Sequence, residues 1–284
     1  MIIKIYGERN TGTNYLMQLI ENNIPIVKRN GSAYLISSAN SSVDLDKTGE
    51  LGWKHRLASA EYLQAKGVGR GAVLIVTLTK NPYSWLLSLH KRPYCPLEVR
   101  TQVIARKAAG VPVFQKWIEK LFLGITRRLG RPGLLLRCRF PQWCEYVKLT
   151  FYDFIRNTWF SECQGEVTQA SNNPVQLWNE KNKAYLALAE HYNVLLLTYE
   201  ELLAFPEATL RKITDRLGCK MSHFNNLDRS AKNEDKENNA KNHQYYKDYY
   251  LNECWRERLN KKEIKWISSQ LDPLVMKSFG YELL

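Results

Sequence analysis

Three short, mainly apolar runs stand out along the chain, over residues 2–6, 72–78 and 194–199. The middle run is rich in β-branched residues, which is typical of a strand that is buried on both faces. The first two runs are each followed by apolar residues at helical spacing, and a further amphipathic helix is predicted over residues 206–217. Strands that alternate with helices predict an α/β fold with a mostly parallel central sheet.

Weaker patterns extend this picture. Residues 33–36 are weakly strand-like, and helical periodicity covers residues 174–191 and most of the chain from residue 255 to residue 276. Residues 228–243 are almost wholly polar and show neither period, so a loop is predicted there.

The pattern changes between residues 95 and 161, where basic and aromatic residues alternate with glycines and prolines. Helices are predicted over residues 97–109 and 114–128. From residue 95 to residue 150, eleven Lys and Arg residues stand against three acidic residues. We interpret residues 95–161 as a mainly helical, basic subdomain that is inserted in a single domain spanning residues 1–284.

Composition narrows the function classes. A chain of 284 residues with 44% hydrophobic and 24% charged residues can bury a substantial core. Its net charge of +13 favours an anionic partner, such as a nucleotide, an acidic glycan, a nucleic acid or a membrane surface. No spanning helix is expected, because no run of eighteen apolar residues occurs. The strand-like start argues against a signal peptide, and the six scattered cysteines fit no zinc motif or disulfide framework, so a cytoplasmic protein with free thiols is expected.

The first candidate site is the loop from Gly7 to Asn14, between the first predicted strand and the first predicted helix. In such a loop, backbone amides and the positive end of the helix dipole point into one cavity that suits a phosphate. Gly7 and Gly12 allow close approach of a ligand to the backbone. An ordinary strand-to-helix turn is the alternative interpretation.

A second strand, loop and helix follow about seventy residues later, with Lys80 in the loop and Pro82 in the first turn of the helix. The G-x-x-x-x-G-K-[ST] loop of nucleoside triphosphatases is the first comparison for this architecture. Gly7 and Gly12 have its spacing, but Thr13 stands in place of its lysine and Asn14 in place of its metal-binding hydroxyl. A kinase that uses ATP is therefore the weaker interpretation.

Residues 10–16, Asn-Thr-Gly-Thr-Asn-Tyr-Leu, resemble the 5′-phosphosulfate loop of the sulfotransferases that use 3′-phosphoadenosine 5′-phosphosulfate (PAPS). That loop runs roughly Lys-[Ser/Thr]-Gly-Thr-Thr-x-Leu. Lys80 and Ser88 keep the spacing of the family's 3′-phosphate motif, in which a serine follows an arginine by eight residues. Lys54 and His55 lie between the two motifs, where cytosolic members carry a Lys-x-His with the catalytic base.

Two later segments extend the resemblance to about residues 1–94 and 165–284. Residues 199–202, Tyr-Glu-Glu-Leu, look like the family's Tyr-Glu-[Asp/Glu]-Leu segment. Residues 279–281, Phe-Gly-Tyr, are similar to the end of bacterial members.

The resemblance implies a P-loop-like three-layer fold and transfer of a sulfuryl group from PAPS, leaving PAP, to an acceptor with a hydroxyl or amine group. No metal is required, because a sulfuryl group carries less charge than a phosphoryl group. His55 would be the general base, and Lys54 or Arg9 would stabilise the developing charge. The implied donor-binding residues are Asn10, Thr11, Gly12, Thr13, Asn14, Tyr15, Lys80, Ser88 and Tyr199.

The sequence departs from the family pattern at three positions. Asn10 replaces the loop lysine, with Arg9 one residue earlier, and Lys80 replaces the arginine of the 3′-phosphate motif. His55 directly follows Lys54, and Arg56 occupies the position of the family histidine. These departures leave a catalytically inactive protein that binds PAP as a further alternative.

The acceptor is the least defined partner. The basic stretch favours an anionic or sugar acceptor that docks on the insertion, with a solvated helical face as the alternative. Basic and aromatic residues also interleave in nucleic-acid-binding proteins, but no recognised motif supports that interpretation here. The sequence predicts no particular oligomeric state.

Overall fold

The computed structural model describes residues 2–36, 51–93, 149–163, 166–221, 223–227 and 242–284. The chain forms two compact units. The first consists of Met1–Trp85 and Val175–Leu284, and the second of Leu86–Pro174.

A five-stranded sheet is the centre of the first unit. Its order is β2-β3-β1-β4-β7, where the strands are β1 (Ile2–Gly7), β2 (Ile26–Asn30), β3 (Ala33–Ile36), β4 (Val73–Thr79) and β7 (Asn193–Thr198). β1 pairs with β4 in parallel, and β4 pairs with β7 in parallel. The α/β class and the parallel core of the sheet are therefore confirmed.

The edge of the sheet is antiparallel, which the sequence pattern did not indicate. β2 and β3 form a hairpin, and β3 runs antiparallel to β1. β2 was missed because the exposed Lys28 and Arg29 interrupt its apolar pattern, as is common in edge strands. Gly31, in the hairpin turn, has a φ of 58°, which glycine adopts without strain.

Helices cover both faces of this sheet. Alternate side chains of β1 show this, because Ile3 and Ile5 pack in one apolar cluster while Ile2 and Tyr6 pack in another. α3 (Pro82–Lys91) begins in this unit. The other helices among its described residues are α1 (Thr13–Asn23), α2 (Ala60–Ala65), α5 (Pro174–Ala189), α6 (Tyr199–Ala204), α7 (Pro206–Leu217), α8 (His243–Leu251), α9 (Lys261–Gln270) and α10 (Pro273–Ser278), with a 3₁₀ turn at Cys254–Arg258. The first cluster lies under α1 and α7, and the second lies under α2 and α5.

The second unit is described only around its ends. It holds α4 (Phe151–Arg156) and a two-stranded antiparallel sheet of β5 (Trp159–Cys163) and β6 (Glu166–Ser171). The helices predicted over residues 97–109 and 114–128 lie outside the described residues, so the insertion at 95–161 stays a prediction.

Candidate functional site

The loop from Gly7 to Asn14 connects β1 to α1 at the carboxyl end of the parallel strands. Asn10 and Gly12 both adopt the left-handed region, with φ values of 65° and 91°. The Thr11 hydroxyl donates to the Glu8 carbonyl at 2.7 Å and tightens the turn. Gly12 caps α1 without a side-chain cap, so the first amides of that helix depend on another acceptor. This geometry suits an anion at the start of α1.

Both glycines of the loop are required by their surroundings. A Cβ on Gly7 would lie 2.6 Å from Thr13 Cγ2 and 2.9 Å from the Leu78 carbonyl oxygen. A Cβ on Gly12 would overlap the ring of Tyr199, and the φ of Gly12 disfavours any side chain. The loop is therefore closely packed against β4 and against the start of α6.

The turn that carries His55 is hydrogen bonded to the phosphate loop. The Gly7 amide donates to the Lys54 carbonyl at 2.9 Å, and His55 Nδ1 lies 2.5 Å from the Gly7 carbonyl oxygen. A carbonyl oxygen only accepts, so Nδ1 carries the proton and donates. In the neutral imidazole, Nε2 is then the unprotonated nitrogen.

The surroundings of His55 also favour its neutral form. The pKa of His55 lies well below its usual value of 6.5, chiefly because the imidazole is withdrawn from water. The positive charges of Arg9 and Lys54 lower the pKa further, and the hydrogen bond to Gly7 opposes them in part. An imidazole that is neutral and oriented can accept a proton through Nε2.

The structure brings the three predicted catalytic residues together. The guanidinium of Arg9 lies 4.6 Å from the ring centroid of Trp53, and that ring meets the His55 ring edge to face at 4.6 Å. The ammonium of Lys54 donates to the side-chain oxygen of Asn14, in the first turn of α1. Two cations, one of them in the loop itself, and one base therefore lie together at the phosphate loop.

Lys80 follows β4 directly, and its side chain is buried, with 2% of the residue exposed. Its ammonium lies 5.0 Å from the ring centroid of Tyr199 and 3.8 Å from that of Tyr250. Because Tyr199 also packs where a Cβ of Gly12 would be, this one ring adjoins both predicted parts of the donor site. The indole of Trp178 donates to the Lys80 carbonyl at 2.9 Å and fixes the backbone there.

The two other predicted donor residues lie in different surroundings. The Tyr15 hydroxyl donates to Asn226 at 2.9 Å, and the Tyr15 ring centroid lies 5.8 Å from that of His243. Ser88 lies further along α3, in the second unit. Its part in the site stays a prediction.

Residues 152–279 match the family model of the sulfotransferase domain. This stretch of the chain belongs to the sulfotransferase domain family. The resemblance predicted from the motifs is thereby confirmed, and with it a domain type that transfers sulfuryl groups. No curated protein sequence matches the chain.

The matched stretch contains only one of the predicted site residues, Tyr199. The phosphate loop, the His55 turn and Lys80 all precede residue 152. Their roles are predictions from the motifs, which the geometry above brings to one end of the sheet.

Sequence reasoning missed two residues at this site, Lys181 and Tyr250. Lys181 on α5 forms an ion pair with Glu8 and donates to the His55 carbonyl. Its spacing from Trp178 and Tyr185 places it on the apolar face of α5, which was a usable signal. Tyr250 was missed because the tyrosine-rich sequence of α8 has no simple apolar period.

The described part of the chain shows neither a metal-binding cluster nor a membrane-spanning helix. No group of three or more His, Cys, Asp or Glu side chains there is arranged to hold a metal ion. The helices of that part are also too short or too polar for any of them to cross a membrane.

Proposed function

We propose that the chain transfers a sulfuryl group from PAPS to an acceptor with a hydroxyl or amine group and releases PAP. The observation that carries the proposal is the hydrogen bond from His55 Nδ1 to the Gly7 carbonyl. It orients a neutral imidazole beside a loop that suits a 5′-phosphosulfate. The family match supports sulfuryl transfer in general.

The residues at the site fit this donor. The uncapped start of α1 and the hydroxyls of Thr11 and Thr13 would hold the 5′-phosphosulfate. Lys80 would bind the 3′-phosphate, the group that distinguishes PAPS from other adenine nucleotides. Tyr199 would border the adenine, since it adjoins both Gly12 and Lys80.

In the proposed reaction, His55 Nε2 takes the proton of the acceptor hydroxyl or amine as that group attacks sulfur. The bond from sulfur to the bridging oxygen of the donor breaks, and PAP leaves with the electron pair. Arg9 and Lys54 stabilise the negative charge that builds on the sulfuryl and leaving phosphate oxygens. Because a sulfuryl group carries less charge than a phosphoryl group, these two cations can serve where a kinase uses a metal ion.

The position of Lys54 bears on the missing loop lysine. Asn10 stands where the family has lysine, but the ammonium of Lys54 reaches Asn14 at the mouth of the same loop. Lys54 can therefore supply the charge from a neighbouring segment. This contact favours an active enzyme over an inactive protein that binds PAP.

Calorimetric titration tests the donor class. We expect PAP to bind in the presence of EDTA, whereas ATP with Mg²⁺ should bind weakly, because Thr13 replaces the lysine that a kinase needs. Lys80→Ala should weaken PAP far more than AMP, which lacks the 3′-phosphate. Binding of ATP with Mg²⁺ alone would support the kinase instead, and equal losses for PAP and AMP would remove Lys80 from the 3′-phosphate site.

Turnover is tested on cell extract supplied with PAPS, with mass spectrometry of the acceptors that gain sulfate. An anionic or sugar acceptor is expected, because the net charge of the chain is +13. Tight PAP binding without sulfate transfer would favour the inactive binding protein.

A further inference from the structure

Lys181 is a buried cation in the middle of α5. Its side chain is 1% exposed, and its ammonium lies 2.9 Å from Glu8 Oε2. Glu8 is also largely withdrawn from water, with 12% of its side chain exposed. A buried ion pair contributes little net stability compared with apolar residues of similar size, so stability alone does not account for this pair.

The partners of Lys181 belong to the two segments that carry the predicted catalytic residues. Glu8 lies in the phosphate loop, where its Oε1 accepts the Arg9 amide at 2.8 Å. The second partner is the backbone carbonyl of His55, which accepts from the same ammonium. One side chain on α5 therefore attaches both segments to a third element.

These segments also bond directly to each other, through the Gly7 amide and through His55 Nδ1. The direction of His55 Nε2 depends on the Nδ1 bond, and that bond depends on the distance between the two segments. Lys181 contacts both of them, through Glu8 and through the His55 carbonyl, and restrains this distance.

We propose that Lys181 is a positioning residue for the sulfuryl transfer proposed above. It holds Glu8 and the His55 carbonyl at a fixed separation, so that the imidazole keeps Nδ1 on the Gly7 carbonyl and presents Nε2 to the acceptor. Lys181 does not touch the reacting atoms, since its ammonium is buried among its own partners. The inference rests on the proposed function, and it predicts an effect on the His55 ring that is measurable without turnover.

Lys181→Met is the direct test, and Lys183→Met is its matched control. Lys183 lies on the same helix, but it is 58% exposed and pairs with Asp272 at 2.6 Å. In Lys181→Met we expect kcat to fall by about 10- to 100-fold with little change in the Kd for PAP, because displacement of a catalytic group by about 1 Å has an effect of that size. Lys183→Met should keep the wild-type kcat.

Nitrogen NMR of His55, assigned with His55→Gln, gives the readout that is independent of activity. The full chain should show one tautomer with the proton on Nδ1, and Lys181→Met should show a mixture of tautomers. Lys181→Arg, which keeps the charge, should recover part of both signals. If Lys181→Met does not fold, Glu8→Gln carries the same test, since it removes the charge of the partner and keeps its size.

The experiments distinguish failure of the positioning role of Lys181 from failure of the proposed sulfuryl transfer. A Lys181→Met protein with lower thermal stability but with the wild-type kcat and tautomer would show a purely structural ion pair and overturn the inference. If the wild-type chain transfers no sulfate, the proposed function fails, while a tautomer that Lys181→Met alone disturbs still supports the positioning of His55 by Lys181.

Discussion

The imidazole of His55 is oriented by one carbonyl, and its pKa is set by its partial removal from water and by neighbouring cations, chiefly Arg9 and Lys54. The pKa of His55 is lowered chiefly by burial, then by Arg9 and then by Lys54. All of these effects disfavour the imidazolium, so His55 is unprotonated over most of the physiological range. Arg9 and Lys54 are also the cations proposed to stabilise the transferring group, so they act on both the base and the leaving charge.

The pH dependence of activity follows from this arrangement. The acidic limb of kcat/KM should lie well below pH 6.5, because the folded-state pKa of His55 is depressed. Arg9→Gln removes the cation that lowers the pKa of His55 the most, so it should raise that pKa and move the acidic limb to higher pH. Steady-state kinetics across pH, with NMR titration of His55, measure both shifts.

The control for this prediction is His191→Gln, which changes an exposed histidine in the turn that follows α5. It should leave the acidic limb in place, whereas His55→Gln should lower kcat by about 100-fold or more and abolish the limb. An acidic limb that Arg9→Gln does not move would show that another group titrates.

The free energy of unfolding should also depend on pH through the depressed pKa of His55. Above pH 6.5 His55 is neutral in the folded and unfolded chain. As the pH falls below 6.5, the unfolded chain takes up the proton first, so the free energy of unfolding decreases until the folded-state pKa is reached. His55→Gln should flatten this part of the stability profile.

At the scale of elements, the connection from β1 through the phosphate loop to α1 depends on Gly12. Its φ of 91° is strained for a residue with a side chain, and a Cβ would meet the Tyr199 ring. We expect Gly12→Ala to lower the free energy of unfolding by about 1–3 kcal/mol. It should also weaken PAP binding by more than about tenfold, which is about 1.4 kcal/mol. Chemical denaturation and calorimetric titration measure the two effects.

Gly31 offers a matched control for backbone strain. Its φ is 58°, but a Cβ there would meet nothing within 4 Å, and it lies in the hairpin between β2 and β3. Gly31→Ala should therefore lower stability and leave the Kd for PAP unchanged. Equal effects of the two substitutions on the Kd would mean that the loop geometry at Gly12 has no specific part in binding.

The elements that position the site were predictable from the sequence because each is coded locally. β1, β4 and β7 are mainly apolar runs, and α7 ends at Leu217 as its periodicity indicated. The loop at residues 7–14 followed from the order of strand, glycine and helix. These signals need no knowledge of residues distant in sequence.

The missed features depend on tertiary partners. Lys181 on the apolar face of α5 is explained only by Glu8 and the His55 carbonyl, which lie far away in the sequence. α8 lacks an apolar stripe, and its tyrosines instead pack on one another and on the Tyr199 ring, with the Tyr250 and Tyr199 centroids 5.2 Å apart. Local patterns do not report such contacts.

At the scale of the whole molecule, the candidate residues are concentrated in one of the two compact units. Every predicted catalytic and donor-binding residue except Ser88 belongs to the first unit, which holds the five-stranded sheet. β1 and β4 end at the phosphate loop and at Lys80, so a ligand that binds both is linked to two neighbouring central strands. Occupancy of the site should therefore stabilise this sheet as a whole.

Thermal unfolding with PAP tests this linkage. At a PAP concentration about 100 times its Kd, binding to the folded state alone adds about 2.7 kcal/mol to the free energy of unfolding. The Tm of the first unit should then rise by about 5–10 °C. Hydrogen exchange should slow in β1 and β4, because these strands lead into the loops that hold the two phosphates. AMP at the same concentration is the control, and Lys80→Ala should reduce the shift with PAP to the level of AMP. A Tm that rises equally with AMP and PAP would contradict a specific 3′-phosphate site at the end of β4.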